Sequence, residues 1–167
     1  MIGRRARRRV SRTHQGTYAV RLPAPERALL ANLVGQLRDL LQVTTDDPSL
    51  RRLFPTAYHD DAERDREYQQ LVRDELLERR LAALDTVDAT AEARELDGAQ
   101  LSAWLTALND LRLVLGTRLD VQEDQEAIDE DHPDAPAMAV YGYLSGLLDD
   151  VVDALTGDLP TPAEPEM

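Results

Sequence analysis

The sequence predicts a mainly α-helical protein: a small bundle of about four main helices with a short N-terminal β-hairpin. Composition is the first reason, because the 167 residues include 27 leucines but one Trp and one Phe, and leucine is a good helix former. Periodicity is the second, since apolar residues recur at steps of three and four along four long segments. The third is a short alternating stretch near the N-terminus, which is typical of a hairpin.

The alternating stretch runs from Arg8 to Leu22, with His14-Gln15-Gly16 as its turn. Its apolar residues are expected to share one face: Val10, Tyr18, Val20 and Leu22. A lone hairpin is only marginally stable in water. We therefore expect this face to pack on the helices.

Pro23 and Pro25 indicate the start of the first helix, because proline is tolerated in a first turn. The helix is expected to end before Thr44. Its apolar stripe comprises Leu30, Leu33, Leu37, Leu40 and Leu41. A short helical turn is expected over Pro48 to Leu53.

The second long helix is expected to begin at Asp60, with Glu63 completing a capping box. Residues 85–96 are polar and fit either a continuation of this helix or a loop. The apolar side of the helix is expected to comprise Tyr68, Leu71, Val72, Leu76, Leu77, Leu81 and Leu84.

Asp97 and Gln100 form another cap-like pair and predict the start of the third helix. Its stripe is nearly unbroken: Leu101, Trp104, Leu105, Leu108, Leu111, Leu115 and Leu119. A last helix is expected after Pro136. Its Gly142 and Gly146 lie four residues apart and predict a close approach by a neighbouring helix.

The predicted organisation is a disordered Arg-rich arm at 1–7, a single helical domain at 8–158 and a disordered tail at 159–167. No run of about 18 apolar residues is present, so we expect no membrane span. The N-terminus also lacks the apolar stretch of a secretory signal. We therefore expect a cytoplasmic protein.

Charge is unevenly distributed along the chain, whose net charge is −13. The first twelve residues carry no acid and six arginines, namely Arg4, Arg5, Arg7, Arg8, Arg9 and Arg12. These arginines could contact the phosphates of DNA. The alternative is a disordered tail, or one that folds back on the acidic body. The acidic body itself favours either solubility or a basic protein partner.

The composition excludes several kinds of chemistry. These 167 residues contain no Cys, which rules out disulfides, thiolate catalysis and Cys-ligated zinc within them, and no Lys, which rules out a P-loop. Of the three histidines, His14, His59 and His132, the last two lie near acids, but the spacing of a metal site is missing, so we interpret all three as solvated loop residues. We expect a non-enzymatic protein without cofactor, metal or catalytic residues.

The third helix carries the candidate partner-binding residues Trp104, Asn109, Asp110, Arg112 and Arg118. Asp110 and Arg112 are two residues apart and cannot face each other on one helix. One interpretation is that the polar residues make ion pairs with other helices and a helix-end cap inside the fold. The other is that they form a polar patch on which a partner helix docks.

The run from Trp104 to Leu119, WLTALNDLRLVLGTRL, resembles the signature of the actinobacterial AosR-like family, and DPSLRRLFPTAY at 47–58, followed by Asp60-Asp61, resembles its second hallmark. The resemblance implies a transcription regulator of the oxidative-stress response that acts with a sigma factor or RNA polymerase. Family members are often encoded near a Clp protease adaptor, which implies an adaptor in Clp proteolysis as the alternative. Oxidant sensing in the regulator that gives this family its name is attributed to cysteines. Because this sequence has none, a thiol switch in it cannot be the trigger.

Overall fold

Four long helices and a small antiparallel sheet make up the part of the chain that the computed structural model describes, residues 8–55, 58–121 and 130–157. In chain order the elements are β1 (Val10–Arg12), β2 (Tyr18–Val20), α1 (Ala24–Val43), a 3-10 turn (Pro48–Leu50), α2 (Ala62–Ala89), β3 (Glu95–Leu96), α3 (Gly98–Leu119) and α4 (Ala135–Thr156). The expected mainly α bundle with an N-terminal hairpin is confirmed. The arm at 1–7 and the tail at 159–167 lie outside the described residues, so their predicted disorder stays a prediction.

The sheet has the order β1-β2-β3, with the predicted hairpin at β1 and β2. Gly16 takes a φ of +83° in the turn, a conformation that glycine adopts without strain. The third strand was not predicted. It pairs Leu96 with Tyr18, and both side chains are buried on the face that packs on the helices. The last two residues of the segment 85–96, for which the sequence fitted either a helix or a loop, therefore form a strand.

The third helix lies at the centre of the fold, because α1, α2, α4 and the 3-10 turn all pack against it. Its start is fixed by a complete capping box between Asp97 and Gln100, as the sequence predicts. Buried leucines and Trp104 line the faces between these helices. Across residues 8–55, 58–121 and 130–157, none of the helices is both long enough and apolar enough to cross a bilayer.

The second helix departs from prediction in two ways. Its N-cap is Asp61, whose side chain accepts a hydrogen bond from the backbone N–H of Arg64, so the predicted start at Asp60 is wrong by one residue. Of its expected apolar side, only Leu84 is buried, and Leu71 is 81% exposed. Leu76, Leu77 and Leu81 are half-buried against the core, whereas the first half of α2 is mostly exposed.

The close helix approach predicted at Gly142 and Gly146 is also wrong. A Cβ at Gly142 would meet no atom within 4 Å, and one at Gly146 would meet only the side chain of Arg9. The tight contact lies instead at Gly116 of α3, where a Cβ would be 3.1 Å from Cε2 of Tyr141 on α4. The absence of a side chain at Gly116 therefore makes room for the Tyr141 ring.

These glycines give a matched test of helix packing. Gly142→Ala should raise the free energy of unfolding by about 0.5–1 kcal/mol, because alanine is the better residue in a helix interior and nothing obstructs its methyl group. Gly116→Ala should lack this gain, because the Tyr141 ring must move. Urea denaturation of both variants measures the difference, and equal stabilisation by the two substitutions would contradict the described contact.

Candidate docking surface on the third helix

The side chain of Trp104 belongs to the core. It is 1% exposed, and its Nε1 donates a hydrogen bond of 2.8 Å to Oγ1 of Thr90, the residue that follows α2. Thr90 Oγ1 in turn donates to the Thr86 carbonyl at 2.6 Å. The tryptophan thus joins α3 to the end of α2. A partner could not reach it unless the fold opened, so the prediction of Trp104 as a partner-binding residue does not fit the structure.

Asp110 is buried as well, at 2% exposure, and forms an ion pair with Arg80 of α2. Arg80 Nη2 also donates to the carbonyl of Leu53 at 3.1 Å, and its guanidinium lies 5.8 Å from the centre of the Phe54 ring. Among the described residues, Asp110 Oδ2 has no hydrogen-bond partner. Of the two interpretations of the sequence, the structure therefore agrees for Asp110 with the one in which it forms an ion pair with another helix of the fold.

Burial and the pairing with Arg80 shift the pKa of Asp110 in opposite directions. Burial raises the pKa of its carboxyl group, and this effect exceeds the lowering by the Arg80 guanidinium. The folded state therefore holds the proton on Asp110 more tightly than the unfolded state does. As the pH rises above the ordinary aspartate value of about 3.9, the unfolded chain ionises first and the contribution of Asp110 to stability falls.

A comparison with Asp110→Asn isolates this pH dependence, because asparagine keeps the shape and cannot ionise. The free energy of unfolding of the wild type minus that of the variant should be largest near the acid limit of folding and should decrease towards neutral pH. Urea titrations across this range measure the difference. A difference that grows with pH would mean that the Arg80 ion pair outweighs the burial of the carboxylate.

The other candidates on α3 are less buried. Asn109 and Arg112 are half-buried, and Arg112 Nε lacks a hydrogen-bond partner among the described residues. Arg118 is exposed in the last turn and lies close enough to Asp47 to act on it electrostatically. Hydrogen bonds from the Ser49 hydroxyl and backbone N–H lower the pKa of Asp47, with a smaller contribution from Arg118. The two sequence motifs therefore meet at this end of α3.

Next to Arg118 lies an apolar cleft of about 100 Å³ between α1, α3 and α4. Its walls are leucine and valine side chains: Leu33, Leu37, Leu40, Leu111, Val114, Leu115 and Leu144. Gln36 and Arg118 are the polar residues of the lining. Within the part of the chain that is described, Arg118 makes no ion pair or side-chain hydrogen bond. The cleft can thus accept an apolar side chain and offer a guanidinium to a carboxylate beside it.

The sequence pointed to Arg118 but not to the cleft. Leu33 and Leu40 were expected in the α1 stripe, where they are half-buried while Leu30, Leu37 and Leu41 are buried. The sequence signal for the cleft was the width of the apolar stripe on α1, which is greater than one neighbouring helix can cover.

Two arginines at the start of the described chain are held by acids of the body. Arg8 pairs with Asp153 at 3.2 Å, and Arg9 pairs with Glu26 at 3.4 Å while its guanidinium lies 5.0 Å from the centre of the Tyr143 ring. Arg12 also has a partner. Arg4, Arg5 and Arg7 lie outside the described residues, so their predicted phosphate contacts stay a prediction.

The three histidines are placed on separate connections: His14 in the hairpin turn, His59 before α2 and His132 before α4. Over the described ranges, no group of three or more His, Asp or Glu side chains could hold a metal ion.

Comparison with known proteins gives the family. A model for a domain of unknown function, DUF2017, matches residues 5–155. The chain belongs to this family. Proteins named "oxidative stress regulator AosR" from Mycobacterium tuberculosis H37Rv and Mycobacterium bovis are 33% identical to it over 129 residues, 66% of this chain. The chain spans 59% of the length of each of these relatives.

A Mycobacterium leprae relative named "putative oxidative stress regulator AosR" is 30% identical over 170 residues, with 78% of each chain covered. The predicted resemblance to an AosR-like family is thus confirmed. No solved structure matches the chain.

Proposed function

We propose that this protein is a cytoplasmic, non-enzymatic regulator of the oxidative-stress response that acts by binding a sigma factor or RNA polymerase. The names of its relatives support the stress response. The observation that carries the binding role is the leucine-lined cleft on α3, with the guanidinium of Arg118 beside it, which has no ion-pair partner among the described residues.

The cleft suits an apolar anchor from a partner. Buried anchors that enter a preformed pocket supply most of the energy of many protein interfaces, and burying one leucine-sized side chain contributes about 1.5–3 kcal/mol. A carboxylate next to the anchor would pair with Arg118 at the rim, which contributes about 0–1 kcal/mol and adds specificity. We therefore expect a partner segment with an aliphatic or aromatic residue close to an acid.

The surroundings of the cleft support a fixed shape. Leu111 and Val114 of the cleft wall are buried in the main core. Asp110, the residue before Leu111, pairs with Arg80 of α2, and the same arginine donates a hydrogen bond to the Leu53 carbonyl after the 3-10 turn. A wall that is already ordered loses little conformational entropy when a partner binds.

Substitution in the cleft tests the proposal. Leu40→Gln should weaken binding to actinobacterial RNA polymerase or a sigma factor at least about tenfold, because an amide replaces part of the apolar wall. Leu71→Gln is the matched control, since Leu71 lies on α2 and is 81% exposed. Binding of purified variants to polymerase core and to individual sigma factors, measured by biolayer interferometry, gives the comparison.

The charge at the rim has its own control. Arg118→Gln should weaken the same interaction and reduce its dependence on salt, whereas Arg66→Gln, at an exposed site on α2, should do neither. No binding by the wild-type chain to polymerase or any sigma factor would refute the proposal. Capture of Clp components instead would favour the adaptor alternative.

The trigger of this regulator should be independent of thiols in these 167 residues, because they contain no cysteine. Treatment of the purified chain with diamide, which converts thiols to disulfides, should leave its affinity for the partner unchanged after the reagent is removed. The partner is kept reduced throughout as the control. A changed affinity would show a chemical sensitivity other than that of cysteine.

A further inference from the structure

The side chain of Arg27, in the first turns of α1, is 8% exposed and lies against the sheet. Its Nε donates to the Leu22 carbonyl at 2.9 Å, and its Nη1 donates to the carbonyls of Ala91 and Ala93 at 2.7 and 2.9 Å. Its Nη2 donates to the Val20 carbonyl at 3.2 Å. The guanidinium therefore joins the hairpin, the start of α1 and the turn before β3.

All four of these acceptors are neutral carbonyl groups. Within residues 8–55, 58–121 and 130–157, no carboxylate pairs with Arg27. Carbonyl dipoles satisfy its hydrogen bonds but leave a full positive charge in a buried place, where a counter-charge is strongly favoured. One N–H of Nη2 also remains after the four bonds are counted.

Arg27 lines a groove of about 470 Å³ beside the C-terminal end of β2. The lining residues are Ala19, Val20, Arg21, Leu22, Pro23, Arg27 and Arg94, with no acid among them. Pairing of the strands brings Arg94 there, because the Val20 N–H donates to the Arg94 carbonyl at 2.8 Å. The Arg94 side chain is exposed and makes no hydrogen bond or ion pair in the described part of the chain.

Arg21 is the third arginine of this groove. Its Nη1 donates to Oγ of Ser11 at 2.6 Å and to the carbonyl of Arg8, so one end of the guanidinium is held at the hairpin. The nearby acids are engaged or turned elsewhere. Glu26 pairs with Arg9, Glu95 accepts from the hydroxyl of Thr17, and Glu92 does not line the groove.

Such a cluster is unexpected in a chain with 32 acids and a net charge of −13. Elsewhere in the described fold, Arg8, Arg9, Arg38, Arg73, Arg79 and Arg80 each have a carboxylate partner. We propose that the groove formed by Arg21, Arg27 and Arg94 binds a phosphate group. Several guanidinium N–H groups around one anion suit the three or more acceptor oxygens of a phosphate, and the anion would supply the missing counter-charge of Arg27.

Pyrophosphate is the probe for this site, with full-length protein and isothermal titration calorimetry as the measurement. The wild type should bind it saturably, and Arg94→Gln should weaken the affinity at least about tenfold. Arg66→Gln is the matched control, because it removes the same charge from an exposed site on α2 and should leave the affinity unchanged. Circular dichroism verifies that each variant is folded, which is expected because neither arginine is buried.

Short duplex DNA forms the second arm and identifies the source of the phosphate. Duplex binding that pyrophosphate displaces and Arg94→Gln weakens would support the proposal with a nucleic-acid backbone as ligand. Pyrophosphate binding without duplex binding would support it with a small phosphorylated molecule. No saturable pyrophosphate binding by the wild type, or equal weakening by Arg94→Gln and Arg66→Gln, would overturn the proposal.

Discussion

The indole N–H of Trp104 needs a hydrogen-bond acceptor inside a core of aliphatic side chains. Much of the fold is arranged around that acceptor, the hydroxyl group of Thr90. Thr90 Oγ1 accepts this bond just after α2 ends, which fixes the turn between α2 and β3 against α3. An unpaired buried donor would cost about 1–3 kcal/mol, so the pairing is strongly specified. Two carbonyl groups of this turn accept hydrogen bonds from Arg27, which fixes the start of α1 and the hairpin against the turn.

The starts of α1 and α3 could be predicted because their causes are local. Pro23 and Pro25 open α1, and Asp97 with Gln100 opens α3, through interactions that span at most a few residues. The strand β3 could not be predicted from its own two residues, because it exists only through pairing with β2. The burial of α2 was overestimated for a related reason. A stripe of leucines shows which side of a helix is apolar but not how much protein packs against that side.

The candidate site was predictable only in part. Composition and spacing selected α3 and its polar residues, yet whether Asp110 faces a partner or Arg80 depends on where α2 crosses α3, thirty residues away in sequence. The close contact at Gly116 likewise depends on Tyr141 of another helix, whereas the spacing of Gly142 and Gly146 carried no such information. Arg27 had no local signal at all, because its acceptors are backbone carbonyls from three segments.

The two ends of the described fold are attached to each other. The carboxylate of Asp153, near the end of α4, lies 3.2 Å from the guanidinium of Arg8, and the neighbouring Asp150 accepts a hydrogen bond from the backbone N–H of Arg9. Entry and exit of the polypeptide thus coincide on one side of the molecule, the arrangement that lets a domain be spliced into a loop of another protein or reconnected with new termini. The described fold therefore meets the geometric condition for circular permutation, because only a short link would be needed between its two ends.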